Sequence, residues 1–124
     1  MHFTMSELTG AERYKLLTSS ITPRPIAWVT SLSTAGVLNA APFSSFNMMG
    51  HSPPMIALGF QPREDGRLKD TCANIIATGE MVVNLVDEAE AEAMNRTSAD
   101  LPPEIDELAV TGIATAPSRR VAAP

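Results

Sequence analysis

Short runs of apolar residues separated by polar turns recur along the chain, and this pattern predicts several short strands. The clearest runs occupy residues 26–32, 55–60 and 81–86. Their length and their content of β-branched and other apolar residues are typical of strands. Gly36 lies in a turn that predicts a hairpin from the first run into a short strand over residues 37–40. Residues 48–54 contain a glycine and two prolines, so a loop is expected there.

The predicted helices are few and short. Thr9 and Glu12 have the spacing of a capping box, which predicts the start of a first helix. Asp70 is expected to cap a second helix over residues 71–77, and a short acidic helix is expected near residues 104–108. Short strands with hairpin turns and small helices indicate a mainly β, α+β architecture or a β-barrel.

Length and charge limit the classes of partner. The chain has 124 residues, enough for one domain with its own core; we expect that domain to cover residues 1–124, with residues 114–124 as an extended tail. The net charge is -5 and the basic residues are scattered, whereas nucleic acids require a basic stripe. The chain has no apolar run of membrane-spanning length and no start typical of a signal peptide. We therefore expect a cytoplasmic protein with neither a nucleic-acid nor a membrane partner.

Side chains suited to metals or to disulfides are scarce. Cys72 is the single cysteine, which excludes an internal disulfide and a site built from several cysteines. The two histidines are not spaced as a ligand pair, so no metal is expected.

One long segment carries no charge. Residues 25–62 contain no Asp, Glu, Lys or Arg but many serines, threonines and asparagines. Buried strands with polar turns would explain this composition, and composition alone favours that interpretation. The alternative is a site for a neutral, polar, aromatic ligand, or a subunit interface.

Lys69, Asp70 and Thr71 form the best candidate for an anion site. Exposed amides at a helix start attract a phosphate, and a lysine before them with a hydroxyl after them would strengthen that preference. Ordinary helix capping explains the same residues, and on these residues alone it is the favoured interpretation.

Five segments stand in a distinctive order along the chain. They are PRPIAWVTS at residues 23–31, NAAPFSSFN at 39–47, SPP at 52–54, KDT at 69–71 and VVNLV at 82–86. No single segment is specific, but together they resemble the flavin reductase-like family, over about residues 14–120. The resemblance implies a split β-barrel of the FMN-binding type, mainly β with small helices.

The resemblance also implies the cofactor site and the chemistry. In that family FMN lies across the barrel near a dimer interface, and the flavin accepts a hydride from NADH or NADPH. Contacts to the flavin are then implied for Thr30, Ser31, Asn39, Ala41, Phe43, Ser44, Ser45, Phe46 and Asn47, and contacts to its phosphate for Lys69 and Thr71. The resemblance assigns no catalytic residue, because the flavin carries the redox step. It implies a homodimer that passes reducing equivalents to flavin or another acceptor.

The resemblance ends near residues 117–121, where members of the family continue into further barrel strands. The chain is therefore expected to be a form shortened at its C-terminal end, or to close its barrel in an unusual way. Three functions stay open: a flavin-dependent oxidoreductase, a non-catalytic FMN-binding module, and a dimerising remnant without cofactor.

Overall fold

Two antiparallel sheets dominate the fold in the computed structural model, which describes residues 2–124. The strands are β1 (Ala27–Leu32), β2 (Leu38–Phe43), β3 (Phe46–His51), β4 (Pro54–Leu58) and β5 (Val82–Asn84). One sheet has the order β2-β1-β5, and the other is the hairpin formed by β3 and β4. β1 is thus the central strand of the larger sheet.

Short helices surround the sheets. They are α1 (Gly10–Ser20), α2 (Asp70–Thr78), α3 (Ala91–Arg96) and α4 (Glu107–Thr111). The predicted capping box is confirmed, since the Thr9 backbone N–H donates to the Glu12 carboxylate at 2.8 Å and the Glu12 N–H donates to the Thr9 hydroxyl at 3.3 Å. None of the helices in the described part of the chain is both long and apolar enough to cross a membrane.

The core lies on both faces of β1, because successive side chains of a strand point to opposite faces. The buried residues are Ala27, Val29 and Phe43 in one cluster and Trp28, Ala40 and Leu108 in the other. The indole N–H of Trp28 donates to the hydroxyl of buried Thr97 at 3.0 Å, so the polar atom of the largest core side chain is satisfied.

The prediction of a loop over residues 48–54 is wrong for residues 48–51, which belong to β3 and pair with β4. Met48 and Met49 both expose about two-thirds of their surface, so burial does not alternate along this strand and leaves no period-two signal. A register shift between Met48 and Gly50 disturbs the pattern further. The second strand also runs past its predicted end, to Phe43; Pro42 is tolerated because β2 is an edge strand.

Two helix starts differ from their predictions. Asp70 is the first residue of α2 rather than its cap, and Lys69 occupies the cap position. The Asp70 carboxylate instead accepts a hydrogen bond from Arg63 at 2.6 Å. The last helix begins at Glu107, three residues later than predicted, because the Asp106 side chain caps it by accepting from a backbone N–H at 2.9 Å.

Residues 114–124 form no helix or strand, yet their end packs against the body. Ala123 is only 1% exposed, and the carbonyl of Pro124 accepts a hydrogen bond from the Thr30 hydroxyl. The backbone N–H of Ala122 donates to the Glu80 carboxylate at 3.0 Å. The predicted tail is therefore held against the body at its end.

Candidate functional site

A cavity of about 270 Å³ opens where the end of β2 approaches the start of α2. The predicted site residues in its lining are Ala41, Phe43, Ser44, Ser45 and Lys69. They combine two apolar walls, two hydroxyls and one ammonium group. Their convergence follows from the antiparallel order of the sheet, which leaves β2 at the edge beside α2.

A smaller cavity of about 40 Å³ adjoins the first and shares Ala41, Phe43 and Lys69 with it. Asn39 and Thr71, two further predicted residues, line this smaller cavity. The two cavities together form the candidate cofactor site, and Lys69 stands at their boundary.

The other four predicted residues lie outside these two cavities. Thr30 lines a separate cavity of about 270 Å³ together with Trp28 and Asn84. Ser31 is fully buried and accepts a hydrogen bond from Asn74 on α2 at 3.2 Å. Phe46 packs against the core cluster of Ala27, Val29 and Phe43, and Asn47 is exposed at the start of the hairpin.

The charges at the start of α2 favour an anion. Asp70 is paired with Arg63, which also pairs with Asp100, so the Asp70 carboxylate is compensated. Among the described residues no carboxylate lies within 4.0 Å of the Lys69 ammonium group. The first N–H to bond back to the cap position is that of Ala73, at 3.0 Å from the Lys69 carbonyl. The preceding N–H groups of the first turn therefore carry the positive end of the helix dipole.

Arg24 connects α1 to this site. Its guanidinium donates to the Ser44 hydroxyl at 3.2 Å and to the carbonyls of Thr18 and Ile21 at 2.6 and 3.1 Å. Because those carbonyls end α1, the cation both caps the helix and fixes it beside Ser44. Tyr14 on the same helix lines the larger cavity.

A buried carboxylate forms part of the wall of the smaller cavity. Glu107 is 6% exposed, and its carboxylate accepts from the backbone N–H of Ala40 at 3.2 Å. The side-chain amide of Asn39 is within 3.2 Å of the same carboxylate and 2.7 Å from the Thr71 hydroxyl. Burial raises the pKa of Glu107 above its ordinary value.

Sequence reasoning missed Tyr14, Gly59, Arg63 and Glu107. Gly59 lines the larger cavity, and a Cβ there would come within 2.9 Å of the Ser45 side chain. These residues come from distant parts of the chain, so no local spacing joins them. The one available signal was the position of Arg24 and Arg63 at the two ends of the charge-free segment.

Comparison with known proteins decides the family. The family model of the flavin reductase like domain matches residues 19–124. The chain belongs to this family. The family predicted from the five segments is therefore confirmed.

Solved structures of similar proteins extend this result. The chain is 41% identical to nitrilotriacetate monooxygenase component B from Bacillus cereus, with a TM-score of 0.94, over 100% of this chain and 61% of that protein. It is 42% identical to 2-nitrobenzoate 2-nitroreductase from Pseudomonas fluorescens, with a TM-score of 0.85, over 100% of this chain and 58% of that protein. The chain spans about three fifths of the length of the curated relatives it matches.

A more distant structure confirms the predicted fold class. A protein from Shewanella frigidimarina, described as a flavin reductase with a split barrel domain, has a TM-score of 0.80 at 24% identity, over 100% of this chain and 62% of that protein. At this identity the similarity concerns the fold alone. The fold of this flavin reductase-like chain is thus α+β and of the split-barrel type.

Proposed function

We propose that this flavin reductase-like chain binds FMN in the candidate cofactor site. We propose further that it acts as an oxidoreductase whose flavin accepts a hydride from NADH or NADPH. The observation that carries the proposal is the convergence of Ala41, Phe43, Ser44, Ser45 and Lys69 on one cavity in a chain of this family. Since NADH and NADPH are supplied in the cytoplasm, we also propose that location.

The donor set suits FMN. Ser44 and Ser45 supply neutral hydrogen-bonding groups of the kind that a flavin ring edge requires, and Ala41 and Phe43 supply apolar walls. Lys69 and the free amides of the first turn of α2 supply the positive pole that a phosphate requires. The uncharged residues of the larger cavity suit the neutral ring, and Lys69, which has no carboxylate partner among the described residues, suits the charged tail.

We propose that the four predicted residues outside the two cavities also contribute to the cofactor site. Ser31 and Phe46 are proposed to hold β1 and β3 in place around the cofactor, since both are packed in the interior. Thr30 and Asn47 are proposed as contacts of the ribityl chain or the ring.

The bound flavin supplies the redox chemistry, and the protein supplies binding, orientation and electrostatics. The proposed tasks of this chain are to hold the phosphate at Lys69 and Thr71 and to keep the ring against the uncharged wall of β2. No proton transfer by a side chain is required by this proposal, and the catalytic residues stay unassigned.

The similarity to a monooxygenase component and to a nitroreductase supports a proposal about the acceptor. We propose that reduced flavin, or its reducing equivalents, passes to a separate acceptor such as an oxygenase subunit or a nitro compound.

We also propose a homodimer. The β3–β4 hairpin exposes four apolar side chains, those of Met48, Met49, Met55 and Ile56, each at least 47% exposed. Apolar side chains so concentrated on one hairpin are typical of an interaction surface.

The absorption spectrum of the purified protein tests the proposed function. Flavin bands near stoichiometric occupancy are expected, together with their bleaching by NADH or NADPH under anaerobic conditions. Flavin bands that neither NADH nor NADPH bleaches would indicate a non-catalytic FMN-binding module instead of an oxidoreductase. A protein that shows no bands after incubation with FMN would overturn the proposal.

A further inference from the structure

Arg63 pairs with two carboxylates at the edge of the candidate cofactor site. One terminal nitrogen of its guanidinium donates to the Asp70 carboxylate at 2.6 Å, and the other donates to the Asp100 carboxylate. The side chains of Arg63 and Asp70 are 15% and 21% exposed, so water screens this pair only in part. An arginine suits the task because its planar group presents several donors in fixed directions.

The loop that carries Arg63 is closed by its own hydrogen bonds. The N–H of Arg63 donates to the Arg67 carbonyl at 2.8 Å, and the N–H of Gly66 donates to the Arg63 carbonyl at 2.9 Å. Gly66 has a φ of 82°, a conformation that glycine adopts more easily than other residues. The loop itself therefore holds the backbone of Arg63 in place.

The charged side chains of this region line the same small cavity. Arg63, Lys69, Asp70, Asp100 and Glu107 are all part of the wall of the smaller cavity. The Glu107 carboxylate accepts from a backbone N–H of β2 at 3.2 Å. The two aspartates pair with Arg63, and among the described residues no carboxylate lies within 4.0 Å of the Lys69 ammonium group. One cation thus serves both aspartates, and the other cation serves neither.

Asp70 has opposite effects on the helix and on an anion. It is the first residue of α2, where a negative charge stabilises the helix by interacting with its dipole. The same charge would repel a phosphate and attract the neighbouring Lys69. The ion pair with Arg63 resolves this conflict, because the carboxylate stays at the helix start while its charge is compensated. Asp100 is 70% exposed, so water screens its charge and Asp70 matters more.

We propose that Arg63 is a positioning residue that keeps the Lys69 ammonium group available to a phosphate, by holding Asp70 and Asp100 in ion pairs of its own. Without the guanidinium, both aspartates would face Lys69 alone, and the flexible lysine stem would let the ammonium group pair with them. The inference rests on the proposed function, because it concerns the FMN phosphate at the same site. Arg63 itself needs no contact with that phosphate.

Four proteins test this role: the wild type, Arg63→Gln, Asp70→Asn and the variant with both changes. Fluorescence titrations measure their affinities for FMN and for riboflavin, which lacks the phosphate. Arg63→Gln should bind FMN about tenfold more weakly than the wild type, as expected when one charge-assisted contact is lost. Its riboflavin affinity should stay unchanged. Asp70→Asn alone should change the FMN affinity much less than Arg63→Gln does.

The double variant distinguishes compensation of Asp70 from other roles of Arg63. If Arg63 acts by compensating Asp70, removal of that carboxylate should restore most of the lost FMN affinity. If the guanidinium contacted the phosphate, or only tied its loop to α2, the double variant would bind FMN no better than Arg63→Gln. That result would overturn the inference, as would an equal loss of riboflavin affinity in Arg63→Gln.

Arg67→Gln is the matched control. Arg67 belongs to the same loop and pairs with Asp65 at 2.6 Å, but it is 72% exposed and lies outside both site cavities. Arg67→Gln should leave both affinities unchanged. A loss of FMN affinity as large as that of Arg63→Gln would indicate a general effect of net charge and would overturn the inference.

Arg63→Lys replaces Arg63→Gln if circular dichroism shows that the latter does not fold. It keeps the positive charge but not the planar fork, so it should weaken FMN binding by less than tenfold. Adding Asp70→Asn should again restore the affinity. No loss in Arg63→Lys, or a loss that persists after Asp70→Asn is added, would overturn the inference.

Inorganic phosphate separates this inference from the proposed function. If the wild type binds no flavin, the proposed function fails, and phosphate becomes the probe, followed by the nuclear magnetic resonance signals of the Lys69 and Thr71 backbone N–H groups. Phosphate should then shift these signals in the wild type and in the double variant, and much less in Arg63→Gln. Any other pattern would overturn the inference. FMN binding by the wild type without recovery in the double variant would overturn the inference alone.

Discussion

Lys69 is the one cation at the boundary of the two site cavities without a carboxylate partner among the described residues. A single charge-assisted contact contributes about 1.5–3 kcal/mol. Lys69→Ala should therefore weaken FMN binding by about tenfold or more and riboflavin binding much less, because riboflavin lacks the phosphate. Titrations followed by flavin fluorescence measure both affinities.

Lys15→Ala serves as the control for this prediction, because Lys15 lies on α1 and lines a different groove. It should leave both affinities unchanged. Equal losses for FMN and riboflavin in Lys69→Ala would remove the ammonium group from the phosphate site.

A substitution at Ser44 tests whether the larger cavity needs an uncharged lining to bind FMN. Its hydroxyl accepts from Arg24 at 3.2 Å, so an aspartate at this position would gain an ionic partner and the protein should stay folded. Ser44→Asp should nevertheless abolish FMN binding, because it adds a negative charge to the cavity proposed to hold the anionic cofactor. Ser44→Asn, which adds similar bulk without charge, should bind FMN at least partly. Normal binding by Ser44→Asp would show that the cofactor lies elsewhere.

At the scale of elements, α1 depends on Arg24 for its position. None of the residues of α1 is buried, and the guanidinium joins two of its terminal carbonyls to Ser44. Arg24→Lys keeps the charge but not the planar fork, so hydrogen exchange of α1 should become faster. FMN affinity should fall as well, because Tyr14 of this helix lines the larger cavity.

The control for α1 is Arg13→Lys, since Arg13 makes one exposed bond, to the Met5 carbonyl at 3.2 Å. It should change neither hydrogen exchange nor FMN affinity. Unchanged exchange in Arg24→Lys would show that other contacts hold the helix.

Elements with a local sequence signal, such as an apolar run or a capping box, were predictable, and an element without one was not. β1 was predicted within one residue of its observed bounds. β5 occupies only Val82–Asn84 of the run predicted over residues 81–86. β3 was missed because its methionines are exposed, so no periodic signal exists along it. The observed start of α2 lies one residue before the predicted start. Asp70 does not cap the helix, because its carboxylate accepts a hydrogen bond from Arg63, a contact that a capping pattern does not include.

At the scale of the whole molecule, the candidate site was only partly predictable. Two of the predicted cofactor residues, Ala41 and Phe43, lie on β2 and line the larger cavity. Their contact with a cofactor stays a prediction. Glu107 was not predictable as a neighbour of Asn39, because 67 residues separate it from its partner Ala40. Only the packing of α4 against β2 brings them together.

The final prediction concerns assembly. Met48, Met49, Met55 and Ile56 expose 70%, 64%, 50% and 47% of their surface on one hairpin, and an exposed apolar patch of this kind favours association. Analytical ultracentrifugation at micromolar concentration should detect a homodimer, and FMN should stabilise it if the cofactor contacts both subunits. Met48→Ser combined with Ile56→Ser should shift the protein toward monomer, whereas Leu17→Ser, an exposed apolar residue of α1, should not. A wild-type monomer that retains tightly bound flavin would contradict a site shared between subunits.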